Sequence, residues 1–413
     1  MPTITYETTT RQMTGSVLGR WLHRRRTDRQ DARRAYWIAA RFLAAAAGLG
    51  LAEDTQSCAG TPGLRSPQLY HVILGADDVR IFVKMLPGQL LADYEEHSAA
   101  LAEAMGGVSL TWKQRAHGYI VGTVRTRDPL AGQVPLPVLV PAARVDRVLI
   151  GLLDSGRSLT VRLDQIAHMI VQGATRSGKS RFIYGLLSQL AQCSDVRISG
   201  SDVTGLLLRP FVGTRHGDDL ALGTRNITEH AVVLERLVSR MDERIARIPD
   251  DVDVLPVDEH DPYEVVVLEE LPGLIRAAEA VDALHKGDRK YVPLVGRIRS
   301  AYGRLMAEGA KVGFRVVIVM QRADASIIGG FERGQATFRI TFPVLEPSSV
   351  QMLHPSCDTE TAALHATEQP GIALVSGPGV PLARMRSPQM GDYASFRSNV
   401  SGPGLRIVDS EAA

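Results

Sequence analysis

The sequence predicts an α/β protein built on a mainly parallel sheet, and three observations carry that reading. From Arg147 onward, short runs of continuous apolar residues alternate with helical segments, as strands covered on both faces require. A glycine-bearing loop stands at one strand-to-helix junction. Ahead of both lies a stretch over 70–148 that reads strand, helix, strand, the pattern of a small α+β unit.

The chain has 413 residues, room for two to three domains at about 150 residues each. Hydrophobic residues at 45% and charged residues at 22% exclude wholesale disorder and supply a large core. Lys and Arg number 47 against 45 Asp and Glu, a net charge of +2, so a nucleic-acid role must rest on local patches. Cys58, Cys193 and Cys357 show no CxxC spacing and read as reduced cytosolic thiols.

In chain order, residues 15–50 form a basic helix with Arg20, Arg24, Arg25, Arg26, Arg29, Arg33 and Arg34. This helix either binds a partner, nucleic acid or an anionic surface, or packs on the body. Its apolar stretch Tyr36–Ala52 is 17 residues long and contains Arg41, too short for a span of about 20 apolar residues. The start MPTITYETTTRQ lacks a signal-peptide layout. The expected location is therefore cytoplasmic, with peripheral attachment at the inner face of a membrane as an option through the arginines.

YHVIL and VRIFVKML alternate apolar and polar residues around a GADD turn. LLADYEEHSAALAEAMGG has helical spacing and ends on glycines, and WKQRAHGYIVGTVRTRDP resumes alternation. VLIGLL, LTVRL, HMIVQG, VRISGSD, EVVVLEE and FRVVIVMQ follow as strands, with helices after HMIVQG, up to Arg247 and near 291–309. The acidic stretch 248–264 reads as a solvated loop. The expected division is 1–68 basic helical segment and linker, 69–148 α+β subdomain, 149–395 α/β domain on the parallel sheet and 396–413 flexible tail.

Gly173, Ala174, Thr175, Arg176, Ser177, Gly178, Lys179 and Ser180 match GxxxxGK[ST] at every fixed position. The buried strand HMIVQ precedes the loop, and a helix with Ile183, Leu186, Leu187 and Leu190 on one face follows it. Glycines let successive backbone N–H groups turn toward phosphate oxygens beside a helix N-terminus. Lys179 would then reach the β- and γ-phosphates of ATP, and the Ser180 hydroxyl would hold Mg²⁺. Ninety residues on, the apolar strand Val265–Leu268 runs into Glu269 and Glu270. The first carboxylate would order Mg²⁺ through its waters and the second would polarise the attacking water. Gln321, at the tip of Phe314–Met320, is placed to sense the γ-phosphate or that water.

With these residues in view, the chain resembles the FtsK/SpoIIIE DNA translocases, including transfer proteins of actinobacterial plasmids and integrative elements. HMIVQGATRSGKS is similar to the family's phosphate-loop strand, EVVVLEELPGLI to its acidic strand and GFRVVIVMQRADASIIGG to its glutamine–arginine strand. QATFRITF, holding Arg339, resembles the arginine-bearing strand that follows, and GIALVSGPGVPLARM the closing hairpin. The likeness covers about 70–395. It implies a RecA-like motor domain behind a small α+β subdomain, a homohexamer around double-stranded DNA, and a catalytic arginine lent by the neighbouring subunit. Candidates for that arginine are Arg339, Arg304 and Arg333, with Arg339 placed among the catalytic residues. Loops around Arg209–Arg215 and Arg322–Arg333 would touch phosphates, and a membrane or transfer-complex partner would dock on the arginine-rich N-terminus.

Three departures from the family pattern stand out. Glu269 replaces the usual aspartate, Ala310 stands where an arginine is common, and a C-terminal winged-helix module is not read after the hairpin. Two other readings stay open: an ATPase that moves single-stranded DNA or protein, and a nucleotide-bound scaffold that does not turn over.

Overall fold

The fold is seen in a computed structural model that describes residues 5–8, 17–56, 62–75, 77–325 and 327–401, with backbone alone at 5–8, 17–28, 56 and 62. The chain divides into two compact units, 1–131 and 132–413. The side chains of Arg20, Arg24, Arg25 and Arg26 and the end of the expected tail, 402–413, lie outside the described residues.

The first unit holds β1 (Thr5–Thr8), α1 (Val17–Gly48), β2 (Gln68–Leu74), β3 (Asp78–Lys84), α2 (Leu91–Glu96), α3 (Ser98–Ala104), β4 (Ser109–Ala116) and β5 (Tyr119–Arg125). Its five-stranded sheet runs β1-β2-β3-β5-β4. The GADD turn closes with the Gly75 N–H donating to the Asp78 carbonyl. The helix expected over 90–107 is broken at His97 into α2 and α3. Along α1, Ala35, Ile38, Ala39, Phe42 and Ala46 recur at helical spacing and are buried with Tyr94, Trp112 and the strand residues Val72 and Ile81. The stretch considered as a span is thus one wall of a protein core. Among the described residues no helix is long and apolar enough to cross a membrane.

The second unit is a ten-stranded sheet. Its elements are β6 (Val148–Leu153), β7 (Ser158–Val161), β8 (Met169–Gln172), α4 (Lys179–Leu190), β9 (Val196–Asp202), β10 (Leu220–Leu222), α5 (Ile227–Ile245), β11 (Tyr263–Glu269), α6 (Leu271–Leu284), α7 (Leu294–Glu308), β12 (Phe314–Met320), α8 (Gly330–Gln335), β13 (Phe338–Thr341), α9 (Pro347–Leu353), α10 (Thr359–His365), β14 (Ile372–Gly377), β15 (Val380–Arg386) and α11 (Tyr393–Val400). The order is β7-β6-β15-β14-β13-β8-β12-β11-β9-β10. From β13 to β10 neighbouring strands are parallel, and the hairpins β6–β7 and β14–β15 add an antiparallel edge.

Successive residues of the central strands serve opposite cores, as the two-residue period of a strand dictates. Val265 and Val267 of β11 face the core with Phe182, Leu186 and Leu187 of α4 and Phe396 of α11. Val266 and Leu268 face the core with Leu234 of α5, Leu274 of α6 and Ile298 of α7. Each fully buried side chain of this size contributes about 1.5–3 kcal/mol. Cys193 and Cys357 are buried free thiols, and Cys58 lies outside the described residues.

Candidate nucleotide site

The site is assembled at the ends of β8, β12, β11 and β9, the carboxyl edge of the parallel block, where open α/β sheets present their ligand crevices. Register fixes it: Gln172 of β8 lies beside Met320 of β12, and Val319 beside Glu269 of β11. A cleft of about 790 Å³ opens over these tips, lined by Lys179, Ser180, Glu269, Glu270 and Gln321 among others.

The loop leaving β8 is shaped by its glycines. Gly178 has φ +103°, and a Cβ there would lie 2.5 Å from the Gly371 nitrogen. That approach is used, because the Gly371 N–H donates to the Ser177 carbonyl at 2.8 Å. A Cβ on Gly173 would meet Phe342 and Ser177 Oγ at 2.6 Å. Arg176 also takes a left-handed backbone, at φ +67°, a conformation that is costly for a residue with a side chain. Of the matched loop, Ala174, Thr175, Arg176, Gly178, Lys179 and Ser180 line the cleft, while Gly173 and Ser177 are buried.

Lys179 is half-buried at the first turn of α4. Burial lowers its pKa, and the carboxylates of Glu270 and Glu269 oppose that shift by favouring the charged form. Burial pushes the Glu269 carboxyl up to about 8, reinforced by Asp202, with Glu270 adding and Lys179 opposing. Its Oε2 atom is buried with no hydrogen-bond partner in the structure. A bound cation would satisfy such an oxygen, so the residues fit Mg²⁺: a serine hydroxyl and carboxylate oxygens are its preferred donors. Among the described residues no group of three or more His, Cys, Asp or Glu could hold a metal alone.

Glu270 caps the start of α6 with φ +52°, and its N–H donates to the Val319 carbonyl at 2.8 Å. Gln321 is exposed at the cleft edge. The loop that follows is fastened by Gln172, whose amide accepts from the Ala323 N–H and donates to Thr341 Oγ1 and the Ser349 carbonyl.

Arg339 is not brought to this cleft. Its guanidinium donates to the carbonyls of Ala336, Leu353 and Arg333. Arg304 is paired with Asp242 and Glu308, and Arg333 donates to the Ile328 carbonyl. Of the loop arginines, Arg215 donates to the carbonyls of Ala191 and Cys193, and Arg322 pairs with Glu346. Arg209 is exposed.

Sequence reasoning missed Asp202, which is fully buried at the tip of β9 beside Glu269. Its oxygens accept from Thr204 Oγ1 at 2.8 Å, the Gly205 N–H at 2.8 Å and the Leu208 N–H at 2.9 Å. Tyr184 and Gly371 were also missed. The first lines the cleft with its ring stacked on Phe396, and the second supports the loop. The one available signal was the acid closing VRISGSD, the same strand-tip pattern as Glu269.

Sheet order, loop geometry and the acids at the tip of β11 together define a P-loop ATPase domain. No family model matches the chain. It is similar to the DNA translocase FtsK of Sporosarcina ureae, 24% identical over 220 residues, covering 48% of this chain and 26% of that protein. It is equally similar to the FtsK DNA translocase of Staphylococcus aureus, 24% identical over 258 residues, covering 54% and 30%. The chain thus spans less than a third of the length of these curated relatives. Among solved structures, the pCW3 conjugation coupling protein TcpA, in monomer form with ATPγS, matches with a TM-score of 0.50 and 16% identity. That match covers 88% of this chain and 98% of that one, and is a likeness of fold. The resemblance to the FtsK/SpoIIIE type carried by the motifs is borne out by these relatives.

Proposed function

We propose that the chain hydrolyses ATP and uses the cycle to move double-stranded DNA through a ring of its own subunits. The one observation that carries the reading is a cleft lined by Lys179, Glu269, Glu270 and Gln321. Lys179, Ser180 and the loop N–H groups bind and orient the triphosphate. Ser180 and Glu269 would hold Mg²⁺, the latter through water, and the bound ion would neutralise charge on the β- and γ-phosphate oxygens. Glu270 accepts the proton of the attacking water, and Gln321 orients that water against the γ-phosphate.

The DNA substrate is supported by the FtsK translocases among the relatives and by the exposed turn between α6 and α7, which presents Lys286, Arg289 and Lys290 to solvent. Such side chains grip phosphates without reading bases. A ring, as a hexamer, is the arrangement in which a neighbour's arginine would complete each site. Arg339 is the candidate from the sequence, and its three carbonyl bonds would have to open for it to serve.

The test is ATPase rate against protein concentration, with duplex DNA, single-stranded DNA or neither. A steep rise with concentration, stimulated by duplex, supports the reading. Stimulation by single strands alone would transfer the reading to a single-strand motor, and no turnover with intact ATP binding would leave a scaffold.

A further inference from the structure

We propose that the short ribbon Val134–Pro135/Pro388–Gln389 is the nucleoside wall of the cleft, the surface on which the base of the bound nucleotide lies. The proposal rests on reading the cleft as an ATP site. The volume of about 790 Å³ is in the range of pockets that enclose a whole small ligand, and its lining continues past the phosphate loop to Gln133, Val134, Ser387, Pro388 and Gln389.

Sheet order gives the nucleotide its direction. Glu269, Glu270 and Gln321 lie on the β12–β11 side of β8, so the γ-phosphate points there. The α-phosphate and nucleoside then leave toward the opposite side, where β13 and the closing hairpin lie and where β15 runs into Ser387–Gln389.

The ribbon is held in place. Pro388 pairs with Val134 and Gln389 with Pro135 in parallel register. Leu136 Cδ1 lies 3.2 Å from where a Cβ on Gly185 would stand, so the absence of a side chain on α4 lets the ribbon close on the helix. Met390, next along, is buried. The Ser387 N–H donates to the Gly371 carbonyl at 2.8 Å, and the Gly371 N–H donates to the Ser177 carbonyl at 2.8 Å. Gly371 therefore ties the ribbon and the phosphate loop into one frame.

The chemistry suits a base. Val134 and Pro388 are buried and apolar, a surface against which an aromatic ring loses water at a gain. Gln133 and Gln389 are exposed beside them. Each amide offers two donors and a carbonyl acceptor, the complement of a nucleobase edge.

The experiment compares ATP with inorganic tripolyphosphate by calorimetry in the presence of Mg²⁺. The variants are Gln389→Trp, which fills the wall side, and the double change Gln133→Ala with Gln389→Ala. ATP is expected to bind the unaltered protein at least about tenfold tighter than tripolyphosphate, about 1.4 kcal/mol. Gln389→Trp should erase that difference and leave tripolyphosphate affinity unchanged, and the double change should narrow it. Equal affinity of the unaltered protein for the two ligands, or a ratio untouched in both variants, would overturn the nucleoside wall while leaving the phosphate loop standing. Binding of both ligands that survives Lys179→Ala would overturn the phosphate-loop reading, and the wall with it.

Discussion

Asp202 and Glu269 stand side by side at the tips of the adjacent parallel strands β9 and β11. Asp202 is fixed as an acceptor by three donors, while Glu269 keeps one buried oxygen without a partner. One carboxylate thus serves the fold, and the other is the one that the proposed function assigns to the ligand. Asp202→Ala strips the acceptor from two buried N–H groups and a hydroxyl. The expected loss is about 1–3 kcal/mol of stability, read as a lower urea midpoint, with a fall in turnover because the neighbouring strand tip loosens.

Gly178→Ala places a methyl 2.5 Å from the Gly371 nitrogen at φ +103°. The loop has to move, at a cost of about 1–3 kcal/mol. ATP affinity should collapse while circular dichroism still reports a folded chain. Retained affinity would mean that the loop adopts another shape when it binds.

Lys179→Ala should weaken ATP binding at least about tenfold by removing the ammonium that the proposed function assigns to the phosphates. Thermal stability in the absence of nucleotide should hold or rise, since a half-buried charge is removed with it. Calorimetric titration and a melting curve separate the two effects.

Three buried histidines set an acid limit on the second unit. Burial lowers the pKa of His168 to about 4 and of His216 and His354 to about 3. His168 shows why the neutral form is needed: Nδ1 accepts from the Val316 N–H while Nε2 faces the Met306 carbonyl. Unfolded histidines titrate near 6.5, so between that value and 4 the unfolded chain binds protons that the folded one refuses. Stability from these groups is present above about 6.5 and is lost as pH falls toward 4. Unfolding free energies from urea titrations at pH 7 and pH 5 should differ by on the order of several kcal/mol, and a flat profile would contradict the neutral assignment.

The glycine loop after β8, the acidic strand and the hairpin around GADD were legible because each is written in local sequence: fixed spacings, apolar runs and turn residues, whereas the closing hairpin was read only from the family resemblance. What was not legible depends on tertiary neighbours. The helix α6 was not read from the sequence, and it starts at Leu271 with Pro272 in its first turn, where the missing proline N–H costs nothing. The bonds that hold Arg339 come from carbonyls up to 14 residues away, which no spacing announces. The basic helix left two readings open, and only the buried row from Ala35 to Ala46 shows which face packs. Asp202 was passed over because a single acid at a strand tip is common, and its meaning comes from standing beside Glu269 in the sheet.

Phosphate release in a single turnover, measured for the unaltered protein and for Glu270→Gln at saturating ATP and Mg²⁺, tests the central claim most directly. The account predicts that Glu270→Gln binds ATP with near-normal affinity and releases phosphate at least about a hundredfold more slowly. Release at an undiminished rate would contradict it and remove Glu270 as the base.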